Sequence, residues 1–281
     1  MKIRFLGTAA AEAIPAMFCM CEKCREAHRR GGKNIRTRTQ ALIDGKLLID
    51  FPADTFVHCI NNNINLADIE DCLITHMHAD HFYSGDLPSI FPGYSQTPKR
   101  TPVFTFHGMY GAMIKIHSIV SGMNFEAEKY LGAKPMELYK PEKIGEHTVT
   151  ALRATHDVTS YPTMYIIENK EGKRLLYAHD TNYFCEEVWE FFEKSGIKLN
   201  FVSLDCTQAN DPAMTYVGHM NLNDNIRVMN RLKEIGAADE NTIFCSNHFS
   251  HNGADMLYEE FSEIAKKSGI ITSYDGMEVE F

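Results

Sequence analysis

The stretch Thr75-His76-Met77-His78-Ala79-Asp80-His81 places three imidazoles and a carboxylate within six residues. It continues an apolar run, Asp71 to Thr75, that reads as a buried strand. In an extended segment residues i and i+2 face the same side, so His76 and His78 can reach one metal ion together. Asp80 and His81 then turn towards a helix N-terminus and face a second position. Such a cluster is costly to desolvate unless a cation compensates it. A solvated His-rich loop is the competing reading, and the strand leading straight into the motif argues against it.

Working outward, three later segments end in ligand-type side chains in the same manner. His156 closes Leu152-Arg153-Ala154-Thr155-His156, Asp180 closes Leu176-Tyr177-Ala178-His179-Asp180, and His248 closes Phe244-Cys245-Ser246-Asn247-His248. In a sheet sandwich, strand-to-loop junctions gather at one edge, which is how distant segments build one site.

The H-x-H-x-D-H motif and the three later residues resemble the signature of the metallo-β-lactamase superfamily. That resemblance implies a four-layer αββα sandwich of two mixed sheets, with His76, His78 and His156 on one metal and Asp80, His81 and His248 on a second. Asp180 bridges the two, and Asp80 counts as a catalytic residue as well as a ligand. The implied ions are two divalent metals, with Zn²⁺ suited to imidazole and carboxylate and Mn²⁺ or Fe also compatible. Asp50, ending Leu47-Leu48-Ile49-Asp50, looks like the carboxylate that orients a ligand histidine in this superfamily; an ordinary strand-end Asp is the alternative.

Two features narrow the resemblance. His219, in Val217-Gly218-His219-Met220, lies where the phosphodiesterase branch carries an extra His. That branch includes the tRNA 3′-processing endonucleases and the phosphoribosyl cyclic phosphodiesterases. A phosphodiester leaving group departs as a poor alkoxide, and a His beside the metals can protonate it; a capping or core His is the bland alternative. The second feature is Cys19-Met20-Cys21-Glu22-Lys23-Cys24, which resembles the structural zinc loop of the cyclic phosphodiesterase group. His251, three residues past His248, completes that set, and three thiolates plus one imidazole make a closed, structural site. Gly7 to Glu12 and Pro15 also look like that group, whereas 84–147 matches weakly.

The implied function is a dinuclear hydrolase of a small phosphodiester, cyclic forms included: the metal pair lowers the pKa of a water, hydroxide attacks phosphorus in line, and His219 protonates the leaving oxygen. Alternatives are hydrolysis of another ester (lactone or thioester) and RNA processing. A diiron oxidoreductase of the same fold would want a carboxylate where His78 stands, and a non-catalytic metal module would not need His219.

The rest of the chain sets bounds. Its 281 residues, 44% hydrophobic and 23% charged, suit one domain over 1–281 with a Cys-rich loop at about 15–30. Lys plus Arg is 28 against 37 for Asp plus Glu, and a net charge of −9 disfavours a nucleic-acid partner. No signal peptide or membrane-spanning run is visible, so the expectation is a cytoplasmic protein with a small-molecule substrate, no membrane partner and a homodimer as the assembly its relatives suggest. Cys59, Cys72, Cys185, Cys206 and Cys245 read as small buried hydrophobes. Asp44-Gly45 marks a hairpin. Helices are expected near 53–61, 109–121, 186–194, 222–234 and 254–267. Strands are expected near 148–154, 163–168, 173–178, 200–205 and 242–246, and the tail from 270 to 281 reads as a closing strand pair. Residues 88–102, rich in proline, read as a loop or lid. His107 is a candidate for the cleft; His179 is read as surface or core, and His28, His58, His117 and His147 as structural or solvated. Lys99, Arg100, Arg153 and Tyr83 are candidate phosphate contacts, with solvated side chains the alternative.

Overall fold

The structure, a computed structural model, describes residues 1–211, 217–253 and 256–281. The first six strands are β1 (Lys2–Gly7), β2 (Gln40–Ile43), β3 (Leu47–Ile49), β4 (Asp71–Leu73), β5 (Phe104–Met109) and β6 (Leu131–Met136). Then come β7 (Pro141–Ile144), β8 (His147–Arg153), β9 (Thr163–Glu168), β10 (Arg174–Ala178), β11 (Phe201–Asp205), β12 (Ile243–Asn247), β13 (Ile270–Thr272) and β14 (Glu278–Glu280). The helices are α1 (Glu22–Arg30), α2 (Thr55–Asn62), α3 (Tyr110–Met123), α4 (Glu186–Ser195), α5 (Leu222–Glu234) and α6 (Tyr258–Lys267).

The strands form two seven-stranded sheets, ordered β14-β1-β2-β3-β4-β5-β6 and β13-β12-β11-β10-β9-β8-β7. Period-2 alternation sends Ile3, Phe5, Ile43, Leu47, Ile49 and Leu73 of one sheet against Val149, Ala151, Tyr165, Ile167, Leu175 and Phe201 of the other. The opposite face of the second sheet is covered by Val188, Trp189 and Phe192 of α4, Val228 and Leu232 of α5, and Phe261 of α6. Ala112, Met113, Ile116 and Val120 of α3 cover the first sheet. Three apolar layers between four structural ones give the expected αββα sandwich. Both sheets mix parallel and antiparallel pairs, and β3–β4–β5 and β10–β11–β12 run parallel. β8 and β10 both pair antiparallel with β9, so the C-terminal ends of β8, β10, β11 and β12 share one edge.

Three expectations need correction. The tail strands do not pair with each other: β13 joins β12 and β14 joins β1, so the C-terminus closes both sheets at their edges. The Cys-rich segment is a loop only as far as Cys21, which caps α1, and Arg30 at the end of that helix pairs with Glu26 and Glu260. Of the five scattered cysteines, Cys72, Cys206 and Cys245 are buried but Cys59 and Cys185 only half so. The region 124–147 holds β6 and β7, whose edge positions leave weak alternation. In the hairpin, Asp44 and Gly45 both take positive φ (49° and 69°), the turn that suits the strands' twist. The last helix begins at Tyr258; residues 254 and 255 lie outside the described residues.

His58 is buried on α2, its Nδ1 2.6 Å from Gln40 Oε1 and its Nε2 2.7 Å from Thr37 Oγ1. Burial outweighs the opposing pull of Asp54 and lowers its pKa to about 4. The unfolded chain therefore binds a proton that the folded chain refuses. This group's stabilisation is complete above about pH 6.5 and is lost as pH falls towards 4, an effect on the order of 3 kcal/mol. The acid-dependent loss of unfolding free energy between pH 6.5 and 4 is expected to shrink by about that amount in His58→Gln. Identical pH slopes in the two proteins contradict this.

Candidate metal centre

The ligand-type residues sit just past parallel strand ends. Asp50 follows β3, His76 lies three residues past β4, His156 three past β8, Asp180 two past β10, and His248 one past β12, while Asp205 ends β11. Three of them, Asp50, Asp180 and His248, take left-handed backbone with φ of 66°, 51° and 63°. Non-glycine residues rarely adopt that region, and such strain concentrates at functional sites.

The imidazoles converge. His76 Nε2 and His156 Nε2 lie 2.9 and 3.2 Å from His78 Nδ1. His81 Nε2 lies 3.1 Å from both Asp80 Oδ2 and Asp180 Oδ2, and His248 Nε2 lies 3.0 Å from Asp180 Oδ2. The other oxygen of Asp180, Oδ1, lies 3.9 and 3.8 Å from His76 and His156. Its two oxygens are thus divided between two clusters, as a bridging carboxylate requires. All seven expected side chains meet.

Each imidazole has one nitrogen held from behind. His76 Nδ1 lies 3.2 Å from the Thr75 hydroxyl, His78 Nε2 3.3 Å from Asp157, and His81 Nδ1 2.7 Å from Asp50. His156 Nδ1 lies 3.2 Å from the Gly218 carbonyl, and His248 Nδ1 2.8 Å from the Thr207 hydroxyl. A donor nitrogen engaged at the back leaves a lone pair at the front, the arrangement found behind metal-ligating histidines. Gly218 can approach because it has no side chain: its φ is +99° and a Cβ would stand 2.6 Å from His156 Nδ1.

His81 Nε2, Asp180 Oδ2 and His248 Nε2 are buried and make no hydrogen bond although they face one another. Orphaned groups of this kind are rare and need a partner. A cation among them satisfies all three, so the residues fit a bound metal pair. Electrostatics agrees. Burial alone lowers the pKa of His81, but Asp180, Asp80 and Asp50 overcome it and hold it well above the usual histidine range. Burial raises Asp180, yet His248, His81 and His76 hold it well below the carboxylate range. Burial holds His76 well below the usual histidine range and lowers His156 as well, which disfavours a proton on either imidazole.

Asp50 stands where an orienting carboxylate would: it accepts from Thr75 N–H at 2.8 Å and lies 2.7 Å from His81 Nδ1. Asp205 went unnoticed in the sequence and is its counterpart. It is fully buried, with Oδ2 2.9 Å from His219 Nδ1 and 3.5 Å from His248 Nδ1, and Thr207 joins it as Thr75 joins Asp50. Its signal was available: an Asp ending the apolar run Phe201-Val202-Ser203-Leu204, the same pattern as Asp50. Burial opposes protonation of His219, but Asp205 prevails and brings its pKa to about 9. The His219 ring lies 4.9 Å from that of His156.

Cys19, Cys21, Cys24 and His251 also come together as expected. Cys21 Sγ lies 3.8 Å from His251 Nδ1 and accepts Cys24 N–H at 3.4 Å; Cys24 Sγ accepts Ala16 N–H at 3.3 Å. Burial raises the Cys21 thiol, but these donors outweigh it and lower it to about 6, whereas burial pushes Cys24 to about 12.

The remaining candidates stay outside. His107 pairs with Asp71 at the far end of β4, away from the cluster, and His147 pairs with Asp44. His179 is core, 2.8 Å from Ser203. Arg153 is engaged by Glu187 and Arg100 by Glu70. Lys99 lines a cavity of about 480 Å³ with Arg100 and Lys129, and a more apolar one of about 340 Å³ lies beside it between Leu66, Leu87 and Phe104. Neither is lined by any of the clustered side chains.

A buried cluster of imidazoles around a shared carboxylate, set at one edge of an αββα sandwich, defines a metal-binding protein of the metallo-β-lactamase fold. Residues 48–239 match the β-lactamase superfamily domain, and the chain belongs to that superfamily. No curated protein sequence matches it. Among solved structures it is similar to zinc-bound PqqB from Methylobacterium extorquens, at 18% identity and a TM-score of 0.73 over 100% of both chains. A diphosphatase of the PhnP family gives 18% and 0.73 over 100% of this chain and 97% of that one. Human tRNase Z, short form, gives 16% and 0.64 over 100% and 99%. Among the described residues no helix is long and apolar enough to cross a membrane.

Removing an orienting carboxylate should weaken metal retention without unfolding the chain. Asp50→Asn is expected to lower metal affinity about 10–100-fold, read by competition with a chromophoric chelator. Unchanged affinity contradicts the role given to Asp50.

Proposed function

We propose that the protein is a metal-dependent hydrolase that cleaves a small phosphodiester, cyclic forms included. The observation that carries this reading is His219: a histidine beside the ligand ring of His156, held at Nδ1 by a buried carboxylate. Breaking a phosphodiester needs such a proton donor next to the metals, because the leaving alkoxide is a strong base. Two of the similar structures are named diphosphatase and tRNase Z, names for P–O bond cleavage, which supports the same class.

On this reading His76 Nε2, His78 Nδ1, His156 Nε2 and Asp180 would hold one metal, and Asp80, His81 Nε2, His248 Nε2 and Asp180 would hold the other. Zn²⁺ suits this donor set, with Mn²⁺ or Fe compatible. When bound, the pair supplies an acidified water and neutralises charge on the phosphoryl oxygens. The chain supplies the rest. Asp205 keeps the His219 Nδ1 proton in place and stabilises the imidazolium, so that Nε2 is the nitrogen that gives its proton to the departing oxygen. Thr75 and Thr207 tie each orienting carboxylate to its histidine. Cys19, Cys21, Cys24 and His251 would hold a third, structural zinc, which would clamp the N-terminal loop to the segment following His248. The acidic balance and engaged arginines weigh against an RNA substrate.

His219→Ala is expected to lower turnover of a chromogenic phosphodiester by about 10²–10⁴-fold while metal content, read by plasma mass spectrometry, stays at the wild-type value. Turnover within about threefold of wild type contradicts the proton-donor role.

A further inference from the structure

The cluster is not equally deep on all sides. The side chains of His76, His81 and His248 are 1%, 0% and 1% exposed, but that of His78 is 40% exposed. The centre therefore opens to solvent on the side of His78, with His156 and His219 next along it.

Exposed apolar side chains stand among the residues that flank this mouth. Asp157, bonded to His78, also caps the turn Val158–Ser160 by accepting Thr159 N–H at 3.0 Å, and Ser160 O accepts Met77 N–H at 3.0 Å. These bonds hold the turn that carries Val158, which is 80% exposed. Val217, next to the Gly218 carbonyl that engages His156, is 88% exposed. The turn also packs on α3: the Tyr161 ring lies on Gly111, and Lys115 Nζ reaches Thr159 O at 3.4 Å and sits 4.8 Å from the centroid of the Tyr161 ring. The adjoining strip of α3 presents Tyr110 and Ile114, one turn apart and both exposed. Among the described residues Lys115 is thus already engaged, while Val158, Val217, Tyr110 and Ile114 are left exposed. An apolar patch beside a polar centre marks a binding surface.

We infer that Val158, Val217, Tyr110 and Ile114 form a subsite for an aryl or alkyl group attached to the phosphoryl centre, so that the substrate is a phosphodiester with an apolar substituent. The assignment rests on the reading of the centre as one that binds phosphoryl groups. Among these described residues Lys115 is engaged and Asp157 is anionic, which favours an apolar substituent over a polyanionic one.

The test compares phenylphosphonate with methylphosphonate, binding each to the metal-loaded full-length protein by calorimetry. Wild type is expected to bind phenylphosphonate about tenfold more tightly, the effect of burying one ring face against apolar side chains. The ratio should fall towards one in Val158→Thr combined with Ile114→Ser and persist in Val158→Leu, which keeps the surface apolar. Equal affinity in wild type, no binding of either, or a ratio the double variant leaves unchanged overturns the subsite. If the phenyl preference is present and abolished as described, yet no phosphodiester is cleaved, the subsite stands and the proposed reaction fails.

Discussion

A carboxylate buried between two sets of imidazoles is the constraint from which this structure follows. Asp180 is 3% exposed, its Oδ2 makes no hydrogen bond, and four histidine nitrogens stand within 3.9 Å of its two oxygens. Without positive charge between them these groups would be desolvated for no return, at several kcal/mol each. Bound divalent metal would offset that cost and give the edge a reason to be assembled. The buried Asp50 and Asp205 extend the same logic outward: each fixes a histidine from behind, so that the nitrogen facing the metal carries a lone pair.

The sandwich serves this arrangement by holding strained backbone in place. Left-handed φ at Asp50, Asp180 and His248 costs on the order of 1–3 kcal/mol each. It persists because each residue emerges from a strand fixed on both sides within its sheet: β3 between β2 and β4, β10 between β9 and β11, β12 between β11 and β13. The two halves of the site mirror each other. Asp50, Thr75 and His81 come from the first sheet; Asp205, Thr207 and His248 come from the second. The second half differs in one respect, since Asp205 also holds His219. On the proposed reading, that extra imidazole is the one that moves a proton.

Much of this could be read from the chain because the ligands are local punctuation. A polar residue that ends an apolar run is visible in one dimension, and His76, His156, Asp180 and His248 all have that form. The αββα class followed from the resemblance those same residues carry. What escaped notice was information held in three dimensions. Asp205 carries the same strand-end signal as Asp50, but only the parallel pairing of β11 with β12 brings it behind His248. The two tail strands look like a pair in sequence, and their separation into different sheets depends on which edge each can reach. Helix α1 was obscured by its cysteines, because a thiol caps it where Ser or Asp more often does. The apolar mouth was invisible for the opposite reason: isolated valines carry no meaning until their neighbours are known.

Anomalous diffraction from crystals grown with zinc, recorded on both sides of its absorption edge, tests the central claim most directly. The account predicts two peaks roughly 3.5–4 Å apart, flanking Asp180, and a third among Cys19, Cys21, Cys24 and His251. A single ion at the edge, or a pair that leaves His156, Asp180 or His248 uncoordinated, would contradict it.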